Sequence, residues 1–277
     1  MYNKIELEKI ALKIREMTIR EIAHYGGGHI GGSMSIIEIL TYLYYQEMNV
    51  DPNNAKKENR DRFVCSKGHA GPAVYSVLAS KKFFPEEQLQ TLNRGGTKLP
   101  SHCDMRKTPG IDFTAGSLGQ GISAAVGIAL GQKIKEQNSR TFVIVGDGES
   151  QEGEVWEAAE TAAQWKLDNL FVFTDLNHKQ LDGWTDDVIN MNNLGTRWLG
   201  FNWDVQRVNG HDFDMIKRAI DNAKKIINKP HMIILDTKKA YGYIPAEDIV
   251  YNHGFSLSEE DGEVAIKMLE KREGVIK

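Results

Sequence analysis

The chain has 277 residues, with 34 Lys plus Arg against 38 Asp plus Glu; the net charge of -4 leaves no basic surface for a nucleic acid. Apolar residues are 41% of the total, enough to bury one large α/β core, and no apolar run approaches the roughly 20 residues that span a bilayer. The opening stretch, 1–13, is charged and amphipathic, unlike a signal peptide, and the two cysteines lack a metal or redox spacing, which fits a reducing cytoplasm.

Residues 5–24 place Ile10, Ile14, Met17 and Ile22 near helical spacing, and Gly26-Gly27-Gly28 ends that helix. Residues 28–33, rich in glycine, read as a flexible loop. Ser35 then caps a helix running to about Met48, with Glu38 as its capping-box partner. Residues 62–66 read as a short strand, followed by Lys67-Gly68-His69 and a helix opened by Pro72. The stretch 80–110 is irregular. Within it, Cys103 adjoins His102, but adjacent side chains diverge in extended chain, which argues against a thiol–imidazole pair. Cys65 follows Phe63-Val64 and reads as a buried small hydrophobe. A small-residue helix over 122–135 follows Gly116-Ser117-Leu118-Gly119-Gln120-Gly121. Two further strands, 203–208 and 231–236, flank a helix over 213–227, and a charged helix over 258–271 closes the pattern. Strands alternating with helices predict an α/β fold with a mostly parallel sheet, helices on both faces, and one domain over 1–277.

The most informative segment lies in the middle. Asp147 ends the apolar run Phe142-Val143-Ile144-Val145, and Asp175-Leu176-Asn177 ends the run Leu170-Phe171-Val172-Phe173. Residues 154–167 between them are helical. Strand, helix, strand in this order predicts a parallel βαβ unit. Polar groups at the carboxyl ends of its strands stand where such sheets bind ligands. A carboxylate and an amide oxygen are hard donors, suited to Mg²⁺ or Ca²⁺. Gly146 and Gly148 let an anion approach the backbone. Gly-Asp-Gly alone reads as a tight turn; the Asn at the next strand end makes a metal–diphosphate site the better reading.

These blocks together resemble the thiamine diphosphate-anchoring, N-terminal half of transketolases. The likeness rests on Gly28-His29, Arg60-Asp61-Arg62-Phe63, Ser66-Lys67-Gly68-His69, Gly116-Ser117-Leu118-Gly119-Gln120-Gly121, Gly146-Asp147-Gly148-Glu149, Glu152-Gly153, Trp156-Glu157-Ala158, Leu167-Asp168-Asn169-Leu170, Asp175-Leu176-Asn177 and His253-Gly254. It implies that Asp147, Asn177 and the carbonyl of Lys179 hold the metal. It implies that His69, Gly146, Gly148, Glu149 and His253 form the diphosphate site, with Gly116, Ser117 and Leu118 against the cofactor's rings. Lys239 matches a lysine that reaches the diphosphate, and otherwise reads as a solvated lysine. His29, His69 and His102 line the substrate channel as the catalytic histidines. Glu152 and Glu157 read either as exposed helix-start acids or, by the resemblance, as a subunit-interface network, with Ala158, Ala159, Ala162 and Ala163 letting another element pack closely.

The implied reaction is transfer of a two-carbon ketol unit from a ketose to an aldose, with pentose-phosphate sugars as the default and a sulfonated or branched sugar left open. The cofactor is the electron sink. The ring-binding, pyrimidine-holding domain of the family is missing. The beginning at Met1 and the end after a charged helix lead us to expect a natural split subunit rather than a fragment. A C-terminal partner chain then supplies the other half, in a heterotetramer with homodimer contacts. The alternatives are another thiamine diphosphate enzyme subunit, of deoxyxylulose-phosphate-synthase or 2-oxo acid dehydrogenase type, and a non-catalytic partner subunit.

Overall fold

The computed structural model describes residues 2–274; Met1 and residues 275–277, the two ends of the expected 1–277 span, lie outside the described residues. Helix α1 (Lys4–Tyr25) starts in a reciprocal capping box between Asn3 and Glu6 and stops where Gly26 adopts φ 100°. A two-residue strand β1 (Gly27–Gly28) leads to α2 (Ile30–Met34) and α3 (Ile37–Tyr42), which widens into a π turn over Leu43–Glu47. Then come β2 (Arg62–Cys65), α4 (Gly71–Ser80) with Pro72 in its first turn, and a long crossing with one 3-10 turn, Glu86–Thr91. Next are α5 (Gln120–Ile134), β3 (Thr141–Gly146), α6 (Gly153–Gln164) and β4 (Leu170–Leu176). A small hairpin, β5 (Lys179–Gln180) and β6 (Gly183–Trp184), precedes α7 (Thr185–Val188) and α8 (Leu194–Gly200). The chain finishes with β7 (Asp204–Asn209), α9 (Phe213–Ala223), β8 (His231–Asp236), β9 (Phe255–Ser256) and α10 (Glu259–Arg272).

Five strands form one parallel sheet in the order β2-β3-β4-β8-β7. Alternate residues serve opposite faces, as the pleat requires. Phe142, Ile144, Phe171, Phe173, Ile233 and Leu235 pack into one core with α1, α3, α4, α9 and α10. Val143, Val145, Val172, Met232 and Ile234 pack into the other, with α5, α6 and α8. The expected α/β sheet covered on both faces is therefore present. No helix among the described residues is long and apolar enough to cross a membrane.

Two local expectations fail. Residues 30–34 are a buried helix, not a flexible loop. The glycines there allow close contact: a Cβ on Gly31 would lie 2.1 Å from the Asn252 carbonyl oxygen. Ser35 does not open a capping box. Its hydroxyl donates across the sheet end to Asp175 Oδ2 at 2.7 Å. Glu38, its supposed partner, is buried against Arg15 and His211.

Candidate active site

The parallel register brings Gly146 opposite Asp175 and Leu176 opposite Asp236, so β3, β4 and β8 end at one level. Polar residues following those ends face a cleft of 370 Å³, lined by His29, Lys67, His69, His102, Gly116, Leu118, Gly146, Asp147, Gly148, Glu149, Glu152, Asn177, Lys179, Lys239 and His253 among others. A larger cleft of 650 Å³ opens among α1, the Glu86–Thr91 turn and α10, and holds none of these residues. One residue expected against the cofactor's rings, Ser117, does not line the cleft; Glu157, expected at a subunit interface, lies outside it.

Asp147 Oδ1 accepts the Gly148 N–H at 2.8 Å and Oδ2 the His178 N–H at 2.5 Å. The second bond needs His178 in the left-handed region, at φ 61°, a conformation unusual for a non-glycine residue. Burial, then the neighbouring Asp175, pushes the Asp147 carboxyl up to about 7, against the pull of those N–H donors and Lys239. This is a buried charge without enough compensation, the state a divalent cation relieves.

Asp175 is the opposite case. Burial, the largest single influence, works to raise it, but Lys67 together with the Thr237 and Ser35 hydroxyls holds it below its usual range. Its Oδ2 accepts from Lys67 Nζ at 2.5 Å, Ser35 Oγ at 2.7 Å and Asn177 Nδ2 at 2.8 Å, and its Oδ1 accepts from the Thr237 hydroxyl. An ionised carboxylate only accepts, so Asp175 fixes the Asn177 amide with its nitrogen inward and its oxygen outward. That oxygen accepts the Lys179 N–H at 3.1 Å. The cleft-lining residues Asp147, Asn177 and Lys179 thus carry a carboxylate, an amide oxygen and a backbone carbonyl, all hard oxygens.

Lys239 is 2% exposed, so it is not a solvated lysine. Its ammonium donates to the Lys179 carbonyl at 2.9 Å. Burial first, then Lys67, lowers it to about 8, partly opposed by Asp147 and Asp175. Its position follows from Ala240, at φ 62°, whose N–H donates to the Gly31 carbonyl at 2.9 Å.

Glu149 uses its carboxylate within the protein. Oε1 accepts Ser66 Oγ at 2.5 Å and the Gly119 N–H at 2.9 Å, and Oε2 accepts the Gly146 N–H at 2.9 Å. It braces the 116–121 loop against the end of β3.

Four imidazoles form the opposite wall. Ring centroids lie 4.7 Å apart for His69–His253, 5.3 Å for His29–His102 and His29–His253, and 5.7 Å for His29–His69. Burial, then Lys67 and His253, holds His69 well below the usual histidine value. Burial, then Lys239, lowers His253 to about 3. Burial lowers His29 and His102 as well. All four rings are uncharged near neutrality, and each offers one donor and one acceptor. The rings pack so closely because Gly32 leaves room: a Cβ there would sit 2.8 Å from His69 Nε2.

Lys67, Asp175 and Ser35 were the roles missed in the sequence. The available signal was Lys67 itself, a lysine following an apolar strand; it is 1% exposed. The alanines of α6 pack against α5 and the sheet, since Ala158, Ala159 and Ala162 share a core with Ile122, Ala125 and Ala129; Ala163 is only partly buried at its edge. Glu152, at the N-cap of that helix, and Glu157, within it, remain exposed.

Residues 7–274 match the family described as the transketolase thiamine diphosphate binding domain. The chain is 48% identical to a 6-deoxy-6-sulfo-D-fructose transketolase subunit, SqwG, of Clostridium sp. strain MSTE9, covering 97% of this chain and 98% of that protein. It is 37% identical to an apulose-4-phosphate transketolase subunit from Phocaeicola vulgatus, covering 96% and 95%. Among solved structures, transketolase from Campylobacter jejuni superposes with a TM-score of 0.90 at 30% identity, over 99% of this chain and 43% of that one. Transketolase from Pichia stipitis, in complex with sedoheptulose 7-phosphate, superposes at 0.88 and 32%, over 97% and 40%. The chain spans about two fifths of those solved transketolases and nearly the whole length of the subunits. The chain belongs to the transketolase family, as the thiamine diphosphate-binding subunit of a split transketolase.

Proposed function

We propose that this subunit, acting as one domain, anchors the diphosphate of the cofactor through a divalent cation, Mg²⁺ or Ca²⁺, while a partner subunit houses the ring. The supporting observation is the convergence of Asp147, the outward oxygen of Asn177 and the Lys179 carbonyl on one cleft, with a buried carboxylate in need of a cation. These three would hold the metal. Lys239, His69, His253 and the Gly148 N–H would hold the diphosphate, and Gly116, Ser117 and Leu118 would lie against the rings. Gly146 and Glu149 would shape the loop rather than touch the ligand.

The bound cofactor supplies the electron sink for breaking a carbon–carbon bond next to a ketone. The chain's own part is positioning and proton handling. His29 and His102, uncharged near pH 7, would accept a proton from a sugar hydroxyl or donate one to a carbonyl oxygen. Diphosphate binding would raise His69 and His253 toward protonation, since an anion favours the imidazolium.

Leu118 and Leu181 line the cleft and are 37% and 63% exposed, an apolar rim suited to being covered by another chain. We therefore favour two copies of each subunit, with Glu152 and Glu157 of α6 facing the second copy. The subunit relatives are named for 6-deoxy-6-sulfo-D-fructose and for apulose 4-phosphate. The first donor to test is 6-deoxy-6-sulfofructose. Transfer of its first two carbons to an added acceptor aldose leaves a four-carbon sulfonated aldose and lengthens the acceptor by two carbons, so mass spectrometry of both products reads the reaction directly. Activity is expected only when this chain is co-expressed with its partner subunit. Turnover by this chain alone, or preference of the complex for fructose 6-phosphate, would overturn the assignment.

A further inference from the structure

Lys179 enters the proposed site through its backbone, and its side chain goes elsewhere. Its ammonium donates to the Ile249 carbonyl at 3.0 Å and to the Glu247 carbonyl at 3.2 Å, and lies 5.2 Å from the centre of the Trp184 ring. Two carbonyls and an aromatic face use all three of its donors. The residue is 7% exposed. Lys179 pairs with Trp184 across the β5–β6 hairpin, so the aromatic face comes from the same small unit as the lysine. The hairpin thus grips residues 247–249 from one side.

Those residues lead directly to His253. Downstream of it, β9 pairs with β1, Gly27 opposite Ser256 and Gly28 opposite Phe255, and β1 carries His29 at its end. His253 therefore hangs between two anchors. The downstream anchor is a backbone ladder, shared with His29. Upstream, Asn252 Nδ2 caps the Ala246 carbonyl, which closes the loop on itself. Glu247 is tied through its side chain to Gly242 and Lys238 upstream and to Arg272 of α10. The Lys179 side chain joins residues 247–249 directly to the hairpin whose carbonyl would hold the metal.

We infer that Lys179 is a positioning residue whose side chain latches the His253-bearing segment onto the metal-facing hairpin, making occupation of the metal–diphosphate site and ordering of His253 one coupled event. This rests on the diphosphate reading above. The Lys179 N–H bonds Asn177, its carbonyl faces Lys239 and its side chain holds residues 247–249, so a pull on any one is felt at the others. An apolar residue here would keep the carbonyl and lose the latch.

The test uses the full chain, with Mg²⁺ and inorganic pyrophosphate as the probe, because pyrophosphate needs no ring pocket. In Lys179→Met the dissociation constant for pyrophosphate should rise about tenfold. Amide hydrogen exchange should speed up at residues 249–253 while the five-stranded sheet stays protected, and added Mg²⁺–pyrophosphate should no longer slow it. Lys179→Arg, which keeps the donors, should restore both. Unchanged affinity and unchanged exchange at 249–253 in Lys179→Met would overturn the latch alone. Failure of the unmutated chain to bind Mg²⁺–pyrophosphate would overturn the diphosphate reading and the latch with it. Global loss of sheet protection in Lys179→Met, not rescued by Arg, would make the lysine a general structural residue and also overturn the latch.

Discussion

Two buried charged clusters sit one residue apart along the loop after β8, and they are built on opposite plans. The first joins Arg15, Glu38, His211 and Tyr241. Arg15 Nη2 donates to Glu38 Oε1 at 2.6 Å and Arg15 Nε to the Tyr241 carbonyl at 3.0 Å. His211 Nε2 accepts the Lys238 N–H at 2.9 Å, so Nδ1 carries the proton that goes to Glu38 at 3.0 Å. Burial would raise Glu38, but Arg15 and His211 overcome it and hold the carboxyl at about 2. Every charge has its counterpart within the protein. The second cluster begins at Lys239. There Asp147 is pushed up to about 7, Lys239 down to about 8 and His253 down to about 3. Its charges are mutually unbalanced, and the groups incline toward their neutral forms. The closed cluster fixes the loop; the open one is left for a ligand to complete. One backbone step serves both, because the residue after Lys238, which belongs to the first cluster, is Lys239, which belongs to the second.

The sharpest break of this comparison is Asp147→Asn. Without the carboxylate, Mg²⁺-dependent binding of thiamine diphosphate by the assembled complex should fall by roughly 100-fold or more, since ligand charge sets affinity for a hard cation. The ligand-free chain should become more stable at pH 8, by ~2 kcal/mol, because an uncompensated buried charge is gone. Calorimetry of binding and thermal melts of the ligand-free chain read the two halves. A destabilised Asp147→Asn chain would mean that the open cluster is balanced after all. The matching change in the closed cluster is Arg15→Met. It strands Glu38 in the interior and should cost about 3–5 kcal/mol of stability, with a correspondingly lower denaturation midpoint in urea. Bound Mg²⁺–pyrophosphate should not restore the midpoint difference, because the damage lies outside the ligand's reach.

The two clusters also differ in how far the sequence announced them. The parallel sheet was legible because its central strands β3, β4 and β8 are nearly continuous apolar runs, as strands buried on both faces require. The open cluster was legible residue by residue, since Asp147, His69 and His253 stand in short motifs with glycine neighbours and Asn177 ends the apolar run of the next strand. Their convergence over a span from His29 to His253 came from the resemblance, not from spacing. The closed cluster left no local sign. Glu38 lies three residues after Ser35, the spacing of a capping box, and only tertiary packing diverts Ser35 to Asp175 and Glu38 to Arg15. Gly31 and Gly32 misled for a related reason. Glycine reports either freedom or close approach, and a sequence does not say which. Here Asn252 and His69 occupy the space that side chains would take.

A smaller effect, the response to acid, separates the clusters without any mutation. His253 titrates near 6.5 in an ordinary setting and at about 3 in the fold. Between those values the unfolded chain binds more protons, so this residue subtracts stability as the pH falls from 6.5 toward 3. His69, shifted in the same direction, adds to the loss. Glu38 acts later: its ordinary value is 4.5 and its folded value about 2, so its contribution disappears as the pH falls from 4.5 toward 2. Asp147 runs the other way. Its ordinary value is 3.8 and its folded value about 7, so the native state gains protons, and stability, as the pH falls through that interval. In the ligand-free chain the Asp147 gain offsets the histidine loss, and stability should change little between pH 7 and 5, then drop below 4.5 as Glu38 is protonated. Asp147→Asn removes the offset and should expose a histidine-driven decline beginning near pH 6.5. Adding His253→Asn to that variant should shrink the decline again. Urea midpoints measured at half-unit pH steps for the unmutated, single and double variants decide it. If the Asp147→Asn curve stays as flat above pH 5 as the unmutated one, the imidazoles are not holding their protons off through burial, and the open cluster is less open than its geometry indicates.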